Sequence, residues 1–259
     1  MAKSGAEKAG DRVWPIGKKL LQMAAMVLFP PICCGCGRRI DRIGTVCPQC
    51  WGKIQFLTGP YCPVMGVPFR FDVGDGFLCG EALREPPPFD CARAAVLHKG
   101  LAQLMVSRLK YSRRLELVPV MGQWLLRAGR DLLAECDYIV PLPLHRRRFW
   151  QRGYNQSAEL ARYLAAETGK IFAPHILLRK KYTVPQVGLS AAERIKNMRG
   201  VFAVSAAARP QLLGKIVVLV DDVYTTGATA RAAARILRRA GTARINVLTF
   251  SRVVKEMEF

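Results

Sequence analysis

The sequence predicts an α/β fold, in which a parallel sheet is flanked by helices and preceded by a small cysteine-rich subdomain. Two observations support this prediction. From about residue 90 onward, apolar runs of strand length alternate with segments of helical periodicity, the pattern of a parallel sheet covered on both faces. Five of the nine cysteines lie between Cys33 and Cys50. A chain of 259 residues has room for one medium domain and a small one.

The composition predicts a folded protein whose partners are polyanions. The apolar share of 51% is too high for a disordered chain. Lys and Arg number 40 against 19 Asp and Glu, a formal net charge of +21. Such an excess favours nucleic acid, phosphorylated metabolites or an anionic membrane face as partners, and a solvated basic surface is the alternative.

Residues 1–30 are predicted to form a polar tail and a short amphipathic helix from about residue 16 to 28. The segment KKLLQMAAMVLFPP is too short to span a bilayer, so we expect no transmembrane segment. Because Pro30 and Pro31 end it without a cleavage site of small residues, we prefer a cytoplasmic protein to an exported one. The helix would pack on the body or make a peripheral membrane contact.

Residues 31–85 are predicted to form a zinc-ribbon-like subdomain. Two Cys-x-x-Cys pairs separated by ten residues have the four-thiolate layout of a structural zinc site. The predicted ligands are Cys33, Cys36, Cys47 and Cys50. Cys34 is an alternative to the first of them, and thiol redox chemistry in CPQC (47–50) is the alternative to metal binding.

Only one zinc ion is predicted. Further along the chain, CPVM and CGEA have Met65 and Ala82 where a second set of pairs would need thiols. Cys62 and Cys79 alone are too few for another tetrahedral site.

No internal repeat is predicted from the sequence. Cys91 and Cys136, which complete the nine, are expected to be buried apolar thiols.

Residues 90–254 are predicted to form the α/β domain, joined to the ribbon by the proline-rich linker REPPPFD (84–90). Strands are expected where apolar runs have strand length, and helices where apolar residues recur every three or four positions. The predicted strands are 93–100, 137–144, 215–222 and 244–253. The predicted helices are 101–111, 118–135, 155–169 (ending at Gly169) and 229–241.

The stretch VVLVDDVYTTGATA (217–230) is predicted to form the ligand-binding site. An apolar strand is expected to deliver Asp221 and Asp222, off its end and outside the core, to the ligand crevice of a parallel sheet. The following helix N-terminus favours an anion, threonine hydroxyls add donors, and Gly227 lets the backbone approach a ligand. A sugar phosphate fits this pattern, with ribose hydroxyls or a hydrated Mg²⁺ on the acids. A helix cap alone is the alternative.

This stretch resembles the phosphoribosyl-pyrophosphate (PRPP) motif of type I phosphoribosyltransferases. The segments VPLPLHRRRFWQRGYNQ (140–156) and TVPQVGLSAAERIKNMRGVF (183–202), with the cysteine-rich start after LFPP, are similar to the ComF family of predicted phosphoribosyltransferases. The resemblance implies that Asp221 and Asp222 bind the ribose 2- and 3-hydroxyls. It also implies that the 5-phosphate is bound by Thr225, Thr226, Gly227, Ala228 and Thr229.

By the same resemblance, the loop after residue 140 is the pyrophosphate loop. There we expect the N–H of Leu142 and the basic run 145–148 to hold an anion, although such a run can also be a solvated surface. Arg152 and Tyr154 are expected to face the site, and Asn155 to cap the next helix. His145 is a conceivable general base, but a lone histidine in a basic loop is more often a surface residue.

Residues 179–197 resemble the flexible loop that closes over PRPP. Gln186 and Arg194 match the family pattern, and Arg194 would pair with pyrophosphate oxygens in the closed state. An exposed polar loop without a catalytic role is the alternative.

The resemblance implies a Mg²⁺-dependent phosphoribosyltransferase, although turnover and the acceptor cannot be read from the residues. ComF-family proteins are linked to natural competence, the uptake of single-stranded DNA. This implies a partner in a DNA-uptake or recombination complex. The alternative is a single-stranded-DNA-binding factor that keeps the fold without catalysing a reaction.

Overall fold

The structure, a computed structural model, describes residues 30–254 with the exception of 43, 75 and 181–199. The predicted helix at 16–28 and the lid residues Gln186 and Arg194 lie outside these ranges. Within them, no helix combines the length and the apolar composition needed to cross a membrane.

Strands and helices alternate along most of the described chain, as the sequence predicts, and a short hairpin interrupts the alternation. In chain order the strands are β1 (Cys91–Leu97), β2 (Tyr138–Pro141), β3 (Ile171–Phe172), β4 (Leu177–Arg179), β5 (Phe202–Val204), β6 (Ile216–Tyr224) and β7 (Arg244–Arg252). The helices are α1 (Pro48–Trp51), α2 (Gly80–Arg84), α3 (Gly100–Tyr111), α4 (Leu117–Ala128), α5 (Arg130–Glu135), α6 (Arg146–Arg152), α7 (Gln156–Thr168) and α8 (Ala228–Arg239).

Five of the strands form a parallel sheet in the order β1-β7-β6-β2-β3. The apolar stretch of β6 from residue 217 to 220 is fully buried, because helices cover both faces of the sheet. One core lies between the sheet and α8, and the other lies between the sheet and α3, α4 and α7. This arrangement confirms the predicted fold class.

Several local elements differ from the prediction. The helix expected over 118–135 is broken at Gly129, where a Cβ atom would lie 2.5 Å from the Leu248 side chain. Helix α6 is not predicted, because it buries none of its residues and therefore has no apolar periodicity. The hairpin of β4 and β5 has only three residues per strand and gives no clear alternation.

The cysteine-rich region docks on the sheet edge formed by β1. The backbone N–H of Leu57 donates to the Ala95 carbonyl at 3.0 Å, which covers part of this edge strand. From α3, the Arg108 guanidinium donates to the carbonyls of Cys34 and Gly35 at 2.6 and 2.9 Å. The ribbon is therefore tied to the α/β domain by backbone pairing and by two charge-assisted hydrogen bonds.

The cysteine-rich region contains an internal repeat that the sequence analysis misses. In the first copy the Gly37 N–H donates to the Cys33 carbonyl at 3.0 Å, and in the second the Gly66 N–H donates to the Cys62 carbonyl at 2.8 Å. The two copies have related sequences, since the first reads Cys-x-x-Cys-Gly (33–37) and the second reads Cys-x-x-Met-Gly (62–66). A Cys also precedes both α1 and α2, with nearly the same extended backbone.

The second copy keeps this shape with apolar packing at two positions where the first has thiols. Met65 and Ala82 are 0% and 4% exposed and belong to the core next to the sheet. Within the described part of the chain, only the first copy gathers four thiols. In the second copy, buried apolar side chains therefore occupy two positions at which the first copy has zinc-binding thiols. This agrees with the prediction of one zinc site.

Candidate functional site

The two acids of the central motif lie inside β6, and not beyond its end as predicted. Asp221 is opposite Thr249 of β7 in the sheet register, and β6 continues to Tyr224. Successive side chains of a strand point to opposite faces, yet both carboxylates are bonded to the start of α7, Asp221 to Ser157 and Asp222 to Gln156. Asp222 is only 3% exposed, and the prediction that both acids lie outside the core is therefore wrong.

Asp222 is held by two partners that the sequence analysis did not identify. Its Oδ1 atom lies 2.8 Å from Nζ of Lys110, and its Oδ2 atom accepts a hydrogen bond of 2.7 Å from Nε2 of Gln156. Lys110 lies in the last turn of α3, and Gln156 is the first residue of α7. Since both carboxylate oxygens are engaged, Asp222 joins three elements at the carboxyl edge of the sheet.

Asp221 is the acid that faces the following loop. Its Oδ1 atom accepts hydrogen bonds from Ser157 Oγ at 2.8 Å and from the Asp222 N–H at 2.9 Å. Burial and the neighbouring charge of Asp222 raise the pKa of Asp221 to about 7, although Lys110 opposes this shift. Without a ligand, this carboxyl therefore holds its proton through mildly acidic pH.

The loop between β6 and α8 is shaped as an anion cradle. Gly227 has φ +69°, and a Cβ atom there would lie 2.1 Å from the Tyr224 hydroxyl, so glycine is required. The Thr226 hydroxyl is buried and has no hydrogen-bond partner among the described residues. The first N–H groups of α8 are directed towards the same loop. These features fit a phosphate.

A small cavity brings the predicted sugar-phosphate residues together. Its volume is about 20 Å³, enough for one water-sized group. The predicted site residues that line it are Asp221, Thr225, Gly227, Ala228 and Thr229. Asp222 and Thr226, which were predicted to bind the same ligand, do not line it, so Asp221 is the one acid of the pair that faces the cavity.

Buried arginines connect this loop to the second copy of the ribbon repeat. The Arg252 guanidinium lies 4.3 Å from the centre of the Tyr224 ring, and it donates to the Met65 carbonyl. The Arg231 guanidinium, in the first turn of α8, lies 3.0 Å from a Glu81 oxygen. Glu81 belongs to α2, so the cysteine-rich region supplies a counter-charge to the first turn of α8.

The predicted role of the Leu142 N–H is wrong. This N–H donates to the Val220 carbonyl at 2.9 Å, continuing the ladder between β2 and β6, and is unavailable to an anion. The Leu142 carbonyl accepts a bond of 3.0 Å from the Asn155 side chain. Asn155 also accepts from the Ser157 N–H at 3.1 Å, which confirms that it caps α7.

Arg152 and Tyr154 were both expected to face the site, but they diverge. Arg152 donates to Oε1 of Gln156 at 3.0 Å, so it reaches Asp222 through that amide. Its guanidinium also lies 5.1 Å from the centre of the Tyr111 ring. The Tyr154 hydroxyl instead donates to the Leu109 carbonyl, and its ring packs on the core. Tyr154 therefore holds α3 rather than facing the site.

Two further residues bound the site. Nδ1 of His145 accepts a bond of 3.2 Å from the Arg147 N–H, so His145 caps α6. Arg179, at the end of β4, is the first residue of the predicted lid. Burial and the charge of Arg148 lower the pKa of Arg179 to about 10, while Asp221 opposes the shift. The start of the lid is therefore electrostatically coupled to the acid in the cavity.

The four predicted zinc ligands form one cluster. The Sγ atoms of Cys33, Cys36, Cys47 and Cys50 all lie within 4.8 Å of one another. The Cys36 and Cys47 sulfurs are 3.7 Å apart, close to the separation of about 3.8 Å in a tetrahedral site with Zn–S bonds of about 2.3 Å. Cys34 packs in the core on α3 instead. The structure therefore places Cys33 in the cluster, and the thiols fit zinc.

The thiols of this cluster differ in acidity. Burial opposes ionisation of Cys33, but N–H groups of Cys36, Cys47 and Gly35 and the Cys36 thiol lower its pKa to about 6. Burial and hydrogen bonds with the neighbouring thiols raise the pKa of Cys50 to about 12. One thiolate thus forms readily at neutral pH, and a metal ion must displace protons from the others.

Comparisons with known proteins agree with the two parts of the chain. A double zinc ribbon domain model matches residues 24–83, and a phosphoribosyl transferase domain model matches residues 152–255. The DNA utilization protein YhgH of Salmonella typhimurium is 31% identical over 86% of this chain and 91% of its own. Competence protein F of Haemophilus influenzae is 29% identical, covering 80% and 90%. Competence protein ComFC of Bacillus subtilis is 25% identical, covering 76% and 80%.

Proposed function

We propose a function from the premise that the chain belongs to the ComF family of competence and DNA utilization proteins. In this proposal the protein binds PRPP with Mg²⁺ at the carboxyl edge of its sheet and transfers the phosphoribosyl group to an acceptor. In this proposal the transfer takes place in the cytoplasm and supports DNA uptake or recombination. The reaction is a displacement at ribose C1 with pyrophosphate as the leaving group.

The observation that carries this proposal is the shared cavity of Asp221 and the threonine loop. Thr225 and Thr229 line that cavity, and their hydroxyls can donate to a phosphate oxygen. Asp221 then lies on the sugar side of the phosphate, where a carboxylate can accept from a ribose hydroxyl. Asp222 acts differently, because it orients Lys110 and Gln156.

Mg²⁺ fits this site through Asp221, whose Oδ2 atom accepts no hydrogen bond from the residues that the structure describes. When bound, the ion would neutralise charge on the leaving pyrophosphate. The residues of the chain position the sugar and exclude water. Arg152 and Lys110 add positive charge beside the acids, and the lid residues Gln186 and Arg194 would complete the site on closure.

Calorimetric titration with PRPP and Mg²⁺ tests this function. The parent protein should bind PRPP, and Asp221→Asn should weaken that binding. Ser157→Ala is a matched control, because it removes one hydrogen bond to the same carboxylate and leaves its charge. A screen for pyrophosphate release against nucleobases and DNA then seeks the acceptor. Absence of PRPP binding by the parent would refute the proposal.

A second candidate function is single-stranded DNA binding without catalysis, as a competence or recombination factor. The surface of α6 favours it, because Trp150 is 82% exposed beside the arginines 146–148. Exposed aromatic rings next to guanidinium groups suit unpaired bases and their phosphates. The net charge of +21 supports the same partner class or an anionic membrane surface.

Zinc has a structural part in either function. One ion on the four-cysteine cluster would stabilise a subdomain whose own core is three cysteines and a few flanking side chains. Zinc binding to such sites contributes about 10–16 kcal/mol in isolated zinc-finger peptides. Because the ribbon covers β1, the ion would also stabilise the edge of the sheet.

A further inference from the structure

A cleft between the ribbon and the β1 edge of the sheet has no part in the functions described so far. Its volume is about 190 Å³. It shares no lining residue with the cavity at the threonine loop, and β7 separates β1 from β6 in the sheet. The residues that define its chemistry are Phe56, Tyr61, Arg93, Trp124 and Arg127. We call it the edge cleft.

One side of the edge cleft is aromatic. Phe56 and Trp124 pack edge to face with ring centres 5.2 Å apart. Trp51, which follows the last cysteine of the metal cluster, lies 5.0 Å from Phe56 and 5.8 Å from Trp124. It remains 47% exposed. Trp51 does not line the cleft and Trp124 is only 6% exposed, so the partly exposed rings of Phe56 and Tyr61 are the surface that the cleft offers to a flat aromatic ligand.

The other notable groups in the edge cleft are cationic. The Arg93 guanidinium lies 4.3 Å from the centre of the Tyr61 ring, and Nη1 donates to the carbonyls of Pro63 and Ala92. The Arg127 guanidinium lies 5.9 Å from the centre of the Phe56 ring and is exposed. No acidic residue is among the described residues that line the cleft. Arg93 is thus partly engaged by backbone carbonyls, and the exposed guanidinium of Arg127 is available to an anion.

The size of the edge cleft limits the ligand. A cavity of about 150 Å³ can bind benzene, so 190 Å³ accommodates one planar ring system but not a large molecule. Aromatic rings beside arginines form the combination that binds unpaired bases together with their phosphates. An acidic peptide would use the arginines but would leave the aromatic side uncovered.

We infer that the edge cleft is a nucleobase-binding site, in which a base packs on Phe56 and Tyr61 and its phosphate pairs with Arg127. The ligand is a nucleotide, either free or within a single strand. The inference does not rest on phosphoribosyl transfer. It deepens the second candidate function by giving single-stranded DNA a site that is separate from α6.

Binding assays on the full-length protein test this inference. The probes are a labelled oligothymidylate of about 20 nucleotides and free thymidine monophosphate. Tyr61→Leu should weaken binding of the oligonucleotide at least about fivefold, because it removes a ring on which the base packs. Arg127→Gln should weaken it by a similar factor, because it removes the cation that pairs with the phosphate. Equal weakening with the monophosphate would identify a free nucleotide as the ligand, and weakening with the strand alone would identify a base within a strand.

Matched variants control for charge and for ring removal. Arg130→Gln removes an exposed arginine that does not line the cleft, and Phe71→Leu removes an exposed ring elsewhere. Both should bind like the parent, and all variants should keep the parent melting temperature. The inference is overturned if the cleft variants bind both probes as tightly as these controls, or if the parent binds neither. Retained PRPP binding by Arg127→Gln would show that the sugar-phosphate site does not depend on the edge cleft.

Discussion

Nζ of Lys110 lies 2.8 Å from Oδ1 of Asp222, and this ion pair joins the end of α3 to the carboxyl end of β6. Asp222 is almost completely buried, and Lys110 is largely so. The second oxygen of Asp222 is satisfied by Gln156. A buried carboxylate is tolerated only with such partners, so the pair maintains the geometry of the site as well as its charge.

Lys110→Met should destabilise the protein by about 3 kcal/mol, because it leaves the buried carboxylate of Asp222 without its cation. Urea denaturation followed by circular dichroism measures this change. Lys110→Arg keeps the charge and should lose less. In the double variant Lys110→Met with Asp222→Asn, the loss should be smaller than the sum of the single losses. Additive losses would show that the pair contributes no coupling.

Asp221→Asn should reduce PRPP affinity at least tenfold, about 1.4 kcal/mol, because it removes the charged acceptor in the cavity. Asp221→Asn should not lower folding stability, because the charged form of this buried acid is disfavoured in the folded state. Asp222→Asn should instead lower stability, since Lys110 then loses its counter-charge. Calorimetry and urea denaturation separate the two effects. If neither variant alters PRPP affinity, Asp221 acts only in local structure and the phosphoribosyltransferase proposal fails.

The pH dependence of stability should reveal the raised pKa of Asp221, which is about 7 in the folded protein and near 3.8 otherwise. Between these values the folded state binds more protons than the unfolded state, so this residue's contribution to stability falls as pH rises and levels off above about 7. Melting temperatures of the parent and of Asp221→Asn, without added Mg²⁺, measure it. As the pH rises from about 4 to about 7, the melting temperature of the parent should fall relative to that of the variant. A constant difference would contradict the shift.

Zinc analysis should find about one ion per chain in protein purified under reducing conditions. Cys50→Ser should lose the ion, because Cys50 belongs to the four-thiolate cluster. Cys34→Ala is the matched control and should retain it, since Cys34 packs in the core. Elemental analysis after dialysis gives the stoichiometry. Two ions per chain would mean that the second repeat also binds metal.

Single-stranded DNA binding should weaken steeply with salt, with a log–log slope of about 0.7 per neutralised phosphate. Replacing Arg146, Arg147 and Arg148 together by Gln should flatten that slope by as much as about 2, since three cations are lost. A matched triple variant removes the exposed arginines 130, 235 and 239, distant in sequence from α6. Fluorescence anisotropy over a salt series measures both. Equal flattening in the two variants would indicate a diffuse basic surface.

Local sequence patterns determined the order of elements and the two chemical motifs. The alternation of strands and helices, the strand–loop–helix with its threonines and the two Cys-x-x-Cys pairs each lie within short segments. Their backbone requirements are local, as for Gly227, whose positive φ is needed in the loop itself. Such features can be predicted without knowing what packs against them.

The tertiary structure alone decided how the acids are used. Asp222 is separated from Lys110 by 112 positions in the chain, and their ion pair forms only when α3 packs beside β6. The Leu142 N–H is likewise engaged by Val220 because β2 lies next to β6 in the sheet. Which of two neighbouring carboxylates faces a ligand depends on the face to which each side chain points. That face is set by long-range strand pairing and helix packing, which no local pattern specifies.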